Sequence, residues 1–222
     1  MKSLIVQILM LISFHNVFAQ TESNDFSIDG IPQKLSWVNR PARWSYEKKI
    51  LKIQAGAKTD LFLDPRHEYS FTNSPKAIFI APEHFLLSAR TTVEFKTDFD
   101  AGVLVIYAGK TSWAKLCFEF SPDKKPFIVS VVNNGISDDC NHVPIEGNKV
   151  FIRVSGLGGH VFVFHYSLDG KYWQLVRYFS LATKEKVRVG FSSQSPTGTS
   201  CETIFSEISY QEKKLKDVRN GE

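Results

Sequence analysis

The chain has 222 residues, 43% of them apolar and 23% charged, with only 13 Gly and 9 Pro. Such a composition can fill a core, and it excludes collagen-like, low-complexity and wholly disordered chains. A formal charge of +4 says little about partners, and the one basic concentration, Lys213, Lys214, Lys216 and Arg219, alternates with Glu212, Asp217 and Glu222, so no nucleic-acid-binding surface, which gathers Lys and Arg on one face or stripe, is expected.

The chain opens with Lys2, an apolar stretch over residues 4–12 broken only by Gln7, and Val17-Phe18-Ala19. This is the pattern of a secretory signal peptide, expected over residues 1–19 with cleavage after Ala19. The stretch is too short to span a bilayer, which takes about 20 apolar residues. No later segment approaches that length, so no membrane span is expected. Loss of Lys2 lowers the net charge by one. The expected product is secreted or periplasmic, beginning with a polar leader over residues 20–27.

From about residue 34 the chain breaks into short runs bounded by Gly, Pro, Asn, Asp and Ser, with alternating polarity inside most of them. Residues 50–53, 85–95, 102–107, 112–120, 127–132, 150–154, 160–167, 172–178, 187–191 and 203–210 read as strands. No useful 3.6-residue period separates them, so crossover helices and a parallel sheet are excluded. About thirteen strands over roughly 180 residues make an antiparallel sandwich. Asp169-Gly170 predicts a type I′ hairpin turn. Gly156-Leu157-Gly158-Gly159 leads into a strand rather than a helix, so it reads as a hairpin connection and not as a phosphate loop.

Alternation assigns faces. In residues 112–120, Ala114, Leu116, Phe118 and Phe120 share one side, and Trp113, Lys115, Cys117 and Glu119 the other. The first set is core. The second places an aromatic, a cation and a carboxylate in a row, which suits a sheet face that stacks on a sugar ring and hydrogen-bonds its hydroxyls. It suits equally an ordinary solvated face on which Lys115 or Arg153 pairs with Glu119. Residues 150–154 repeat the pattern, with Val150, Ile152 and Val154 inward and Phe151 and Arg153 outward. A large aromatic such as Trp113 on an outer face calls for a partner or a covering loop. Trp173 reads as structural packing at the sandwich edge, and Trp37 and Trp44 bracket a turn at Asn39-Arg40-Pro41 that they could pin to the sheet.

Other chemistry finds little support. In an oxidising compartment Cys117, Cys140 and Cys201 allow at most one disulfide, for which Cys140–Cys201 is the candidate pair; three buried thiols that pack as small hydrophobes are the other reading, and the sequence leaves the choice open. His67, His84, His142, His160 and His165 lack metal-ligand spacing. The segment 137–141 reads as a turn, its oxygen atoms suiting calcium as the alternative. No cofactor and no catalytic residue is expected. The strand motif Glu-x-Asp-x-Glu is absent; Glu94, Asp98 and Asp100 come nearest, with Asp98 and Asp100 in a turn.

Trp37-x-Asn39-x-Pro41-x-x-Trp44, Thr59-Asp60-x-Phe62, Trp113-x-Lys115-x-x-x-Glu119, Ser137-Asp138, Arg153, Tyr166-Ser167-x-Asp169-Gly170-x-x-Trp173 and Ser195-Pro196-x-Gly198 form an ordered series. It resembles the domain of unknown function 1349 family, also called regulation-of-enolase-like, in the concanavalin A-like lectin/glucanase superfamily. The resemblance runs from about residue 28 to 210 in register. It implies a jelly-roll sandwich of two antiparallel sheets, with Trp113, Lys115, Glu119 and Arg153 lining a concave face that binds carbohydrate and Asp60 and Asp138 at its rim. The missing acidic motif argues against glucanase activity. The expected organisation is one β-sandwich domain over residues 28–210 and a charged, solvated tail over 211–222. The expected function is carbohydrate binding, the alternatives being a glycoside hydrolase that uses Glu119, kept ionised as a base by Lys115 or Arg153, and a protein-interaction module.

Overall fold

Alternating strands with one apolar face bury it by pairing edge to edge into sheets and stacking the sheets face to face. The computed structural model describes residues 24–222; the expected signal peptide and the first part of the expected polar leader lie outside the described residues. Strands β1 (Asp25–Phe26), β2 (Leu35–Val38), β3 (Arg43–Glu47), β4 (Ile50–Gly56), β5 (Leu61–Leu63) and β6 (Ser70–Thr72) come first. They are followed by β7 (Lys76–Ile80), β8 (His84–Val93), β9 (Ala101–Gly109), β10 (Ser112–Phe120), β11 (Pro126–Asn134) and β12 (Ser137–Pro144). The last are β13 (Lys149–Gly158), β14 (Val161–Ser167), β15 (Gln174–Ser180), β16 (Arg188–Gln194) and β17 (Ser200–Gln211).

An eight-stranded sheet runs β1-β2-β7-β16-β9-β10-β11-β12 and a seven-stranded sheet β15-β14-β13-β8-β17-β4-β3. Every pairing is antiparallel. The result is a jelly-roll sandwich. Ala114, Leu116 and Phe118 of one sheet meet Leu87, Ile152, Val154 and Phe164 of the other in one core. Phe191 and Phe205 cross the interface with ring centroids 5.0 Å apart. Trp37 and Trp44 lie on different sheets and meet Phe26 at 5.5 and 4.4 Å, so the intervening turn joins the sheets.

Four local expectations are corrected. The two-residue turn is Gly159-His160, both at positive φ (59° each), between β13 and β14, as a type I′ turn requires. Asp169-Gly170 instead lies in a longer loop, where the Asp169 carboxylate accepts the amides of Lys171 and Tyr172 at 2.8 and 2.9 Å. The segment 137–141 is the first part of β12, an edge strand, not a turn; alternation turns Asp138 and Asp139 to opposite faces, so their oxygens do not converge on one ion. All three cysteines are free thiols, with Cys140 exposed on the edge of one sheet and Cys201 buried on the other. Finally, residues 212–222 do not stand off in solvent but fold over the seven-stranded sheet, where Leu215, 9% exposed, packs with Leu86 and Val163.

Candidate ligand site

The outer face of the eight-stranded sheet is covered by the β5–β6 hairpin. A single β-bridge, Thr59 to Ser195, anchors its start. The Asn73 side-chain oxygen accepts the Asp60 amide at 3.0 Å, and the Ser74 amide donates to the Asp60 carbonyl at 3.0 Å. Across the sheet the Leu63 amide donates to Ser137 Oγ at 2.9 Å. Beneath this cover Trp113 is completely buried, among Leu61, Val105, Tyr107 and Val131. Its indole N–H donates to the Lys110 carbonyl at 3.2 Å.

Beside the covered half, strand register gathers a polar cluster. Lys115 faces Val131, which faces Asp139, and Glu119 faces Ala101, which faces Gln194. The small Ala101 leaves room for its two neighbours to meet, so Gln194 Nε2 donates to Glu119 Oε2 at 3.2 Å while Gln194 Oε1 accepts Lys115 Nζ at 3.0 Å. Lys115, 3% exposed, is paired with the Asp60 carboxylate at 2.9 Å. Burial is the largest single influence and lowers the pKa of this ammonium, but the charge and hydrogen bond of Asp60, together with Cys117 and Glu119, outweigh it and hold the group above the usual lysine range.

Glu119 is governed by burial, which pushes its carboxyl up to about 8 against the opposing pull of Lys115; Asp60 and Asp139 add to the rise. The Asp139 carboxyl is raised as well, again chiefly by burial. Lys115 therefore does not hold Glu119 ionised, because burial outweighs its attraction. In neutral solution Glu119 carries a proton, and its carboxyl both donates and accepts hydrogen bonds.

Aromatic side chains wall this polar floor. Phe62, Tyr69, Phe71 and Phe99 line, with the cluster, a pocket of about 440 Å³. Phe62 and Tyr69 stack with centroids 5.9 Å apart, and Tyr69 is 47% exposed. Phe99 sits at φ 69°, a conformation unusual for a bulky residue. Buried Asp100 holds that turn: its carboxylate accepts the Lys96 and Thr97 amides, both at 2.9 Å, and the Ser195 hydroxyl at 2.7 Å.

Of the expected site residues, Asp60, Lys115 and Glu119 line the pocket, whereas Trp113, Asp138 and Arg153 do not. Trp113 is roofed by the hairpin. Asp138 points to the other side of β12 and pairs with Arg177 at 2.6 Å. Arg153 faces outward as its parity requires, but from the seven-stranded sheet, and parity cannot say which sheet a strand joins. Gln194, Asp139, Tyr69, Phe71 and Phe99 were missed. Asp138 was marked by the motif series alone; alternation would have marked Asp139 had the segment been read as a strand, and nothing local marks the others.

Comparison with known proteins agrees with this architecture. The model of the family described as "Protein of unknown function (DUF1349)" matches residues 37–213. "Regulation of enolase protein 1" of Saccharomyces cerevisiae is 27% identical over 179 residues, covering 78% of this chain and 87% of that protein. A crystal structure of a functionally unknown protein from Saccharomyces cerevisiae superposes with TM-score 0.74 at 23% identity, over 81% of this chain and 96% of that one. The GH43 BlXynB protein from Bacillus licheniformis superposes with TM-score 0.63 at 16% identity, over 78% of this chain but only 35% of that one. Xylan beta-1,4-xylosidase from Bacillus halodurans C-125 gives 0.59 at 16% identity, over 76% of this chain and 34% of that one. A match that spans most of the sandwich, together with the fold it implies, shows that the chain belongs to the DUF1349 family.

Proposed function

We propose that the pocket on the eight-stranded sheet binds carbohydrate, in a protein exported as secreted or periplasmic. The observation that carries this reading is the pairing of an aromatic wall, Phe62, Tyr69, Phe71 and Phe99, with a floor of Asp60, Lys115, Glu119, Asp139 and Gln194. Aromatic faces stack on the apolar side of a pyranose, and fixed polar groups at hydrogen-bonding distance of one another select its hydroxyls. The volume, about 440 Å³, lies within the roughly 300–1,000 Å³ of small-molecule sites. The structural relatives described as glycoside hydrolases, of which this fold makes up about a third, point the same way. The signal-like segment supports export.

Calorimetric titration of a saccharide panel tests the reading. Saturable binding that weakens about tenfold in Tyr69→Ala, through loss of a stacking face, is expected. Absence of binding across the panel, or binding unchanged in Tyr69→Ala and Glu119→Gln, overturns it.

One observation favours a second reading, glycosidic-bond cleavage. A carboxyl pushed up to about 8 is a proton donor in neutral solution, the state a general acid needs. Turnover of a polysaccharide that disappears in Glu119→Gln is the expected outcome under that reading, and no turnover removes it.

A further inference from the structure

The outer face of the seven-stranded sheet carries a second polar row. Ser88, Arg153 and His165 sit side by side on β8, β13 and β14. Residues 212–222 cross over them. The Val218 carbonyl lies 2.9 Å from His165 Nε2, and Arg153 Nη2 donates to the Gly221 carbonyl at 2.7 Å. At Gly221 a Cβ would fall 2.0 Å from Arg153 Nη2 and 2.9 Å from Trp173 Cβ, so no larger residue fits this approach. The Arg153 guanidinium lies over the Trp173 ring at 4.1 Å from its centroid.

Arg153 is 5% exposed, yet no carboxylate pairs with it among the described residues. Its Nε is buried without a hydrogen-bond partner, as are Ser155 Oγ and His165 Nδ1 nearby. Buried cations are ordinarily paired, because an unpaired one forfeits its hydration for nothing. Beside Arg153 lies a cleft of about 430 Å³ whose charged lining is Arg153, Lys171, Lys213, Asp169 and Glu207. The two acids are already engaged. Glu207 binds Arg90 at 2.8 Å, and Asp169 binds the amides of its own turn. Lys171 and Lys213 are exposed and form no ion pair among the described residues.

We propose that this cleft is a second binding site, on the opposite sheet from the pocket, for a small organic anion whose carboxylate, sulfate or phosphate group pairs with the Arg153 guanidinium. A guanidinium stacked on an indole directs its N–H groups in the plane, and those not given to the Gly221 carbonyl are left for a planar or tetrahedral oxyanion. Lys171 and Lys213 at the cleft wall add attraction, and Trp173 fixes the orientation of the guanidinium. The burial that lowers the Arg153 pKa to about 10, with no acid to oppose it, is the electrostatic deficit that such an anion fills.

The test follows the Arg153 Nε–H resonance of the full chain by ¹⁵N NMR during titration with glucuronate, sulfate or phosphate, against chloride at equal ionic strength. A saturable shift with Kd of about 1 mM or tighter is expected. A response to glucuronate identifies a carboxylate ligand, and a response to sulfate or phosphate alone identifies a sulfated or phosphorylated one. The double variant Lys171→Ala/Lys213→Ala changes only exposed side chains and is expected to weaken binding about three- to tenfold; Arg153→Lys is expected to abolish it. If no probe moves the resonance beyond chloride, or if the double variant binds like the wild type, the site is refuted. Should Arg153→Lys fail to fold, the double variant still decides.

Discussion

Lys115 and Arg153, one on each outer sheet face, are buried in opposite ways. On the eight-stranded sheet the β5–β6 hairpin brings Asp60 to Lys115, 2.9 Å away, and Gln194 completes the shell. On the seven-stranded sheet the segment 212–222 brings Arg153 a carbonyl and no carboxylate. Both cations are almost fully buried. The difference shows that burial alone does not set the electrostatics of a site: a cover that carries an acid neutralises the cation beneath it, and a cover that offers only backbone leaves a charge to be met by something else.

The largest expected effect comes from breaking the paired face. Asp60→Ala leaves Lys115 buried with no counter-charge, and loss of one partner of a buried pair costs about 3–5 kcal/mol; urea unfolding measures it. Arg153→Met is expected to cost less, about 1–2 kcal/mol, because only a hydrogen bond and a ring contact are lost and no acid is stranded. If the two variants cost the same, the contrast between the faces fails.

A pH series sharpens the comparison further. Glu119 titrates at about 8 in the folded chain against about 4.3 unfolded. Between these values the folded state holds a proton that the unfolded state has lost, so Glu119 makes stability fall as pH rises through the window. Thermal melts of Glu119→Gln are expected to lack that fall. Lys76 has an effect of the opposite sign. Lys76 is fully buried, and among the described residues its ammonium meets the Ser74 carbonyl and hydroxyl, the Thr72 carbonyl at 3.5 Å, and the Tyr107 ring, 5.7 Å from its centroid. Burial, with repulsion from Lys115, lowers its pKa to about 7 from about 10.4 unfolded. Above pH 7 the unfolded state binds the extra proton, so stability gains from Lys76 as pH rises. In Lys76→Met that gain is expected to vanish; a melt series with unchanged slope would contradict it.

Much of the fold was legible because its determinants are local. The core assignment of Ala114, Leu116 and Phe118 follows from a period of two, which the pleat imposes on any strand. The turn after β13 was legible as a hairpin because its glycines tolerate positive φ. The site was half legible. Lys115 and Glu119 are marked by parity within one strand, and Asp60 by its place in the motif series. Gln194 and Phe99 reach the pocket only because β16 pairs with β9 and because Asp100 holds its turn.

Length, composition and alternation thus settle an all-β chain, its apolar faces and most of its turns, since each depends on neighbours along the sequence. Which sheet a strand joins, and what covers its outer face, depend on contacts between residues far apart in the chain. Trp113 and Arg153 make the point. Both face outward by parity, but one is roofed by residues 61–72 and the other lies on the opposite sheet under residues 212–222. A period of two specifies a side of a strand. Only the packed chain specifies what that side meets.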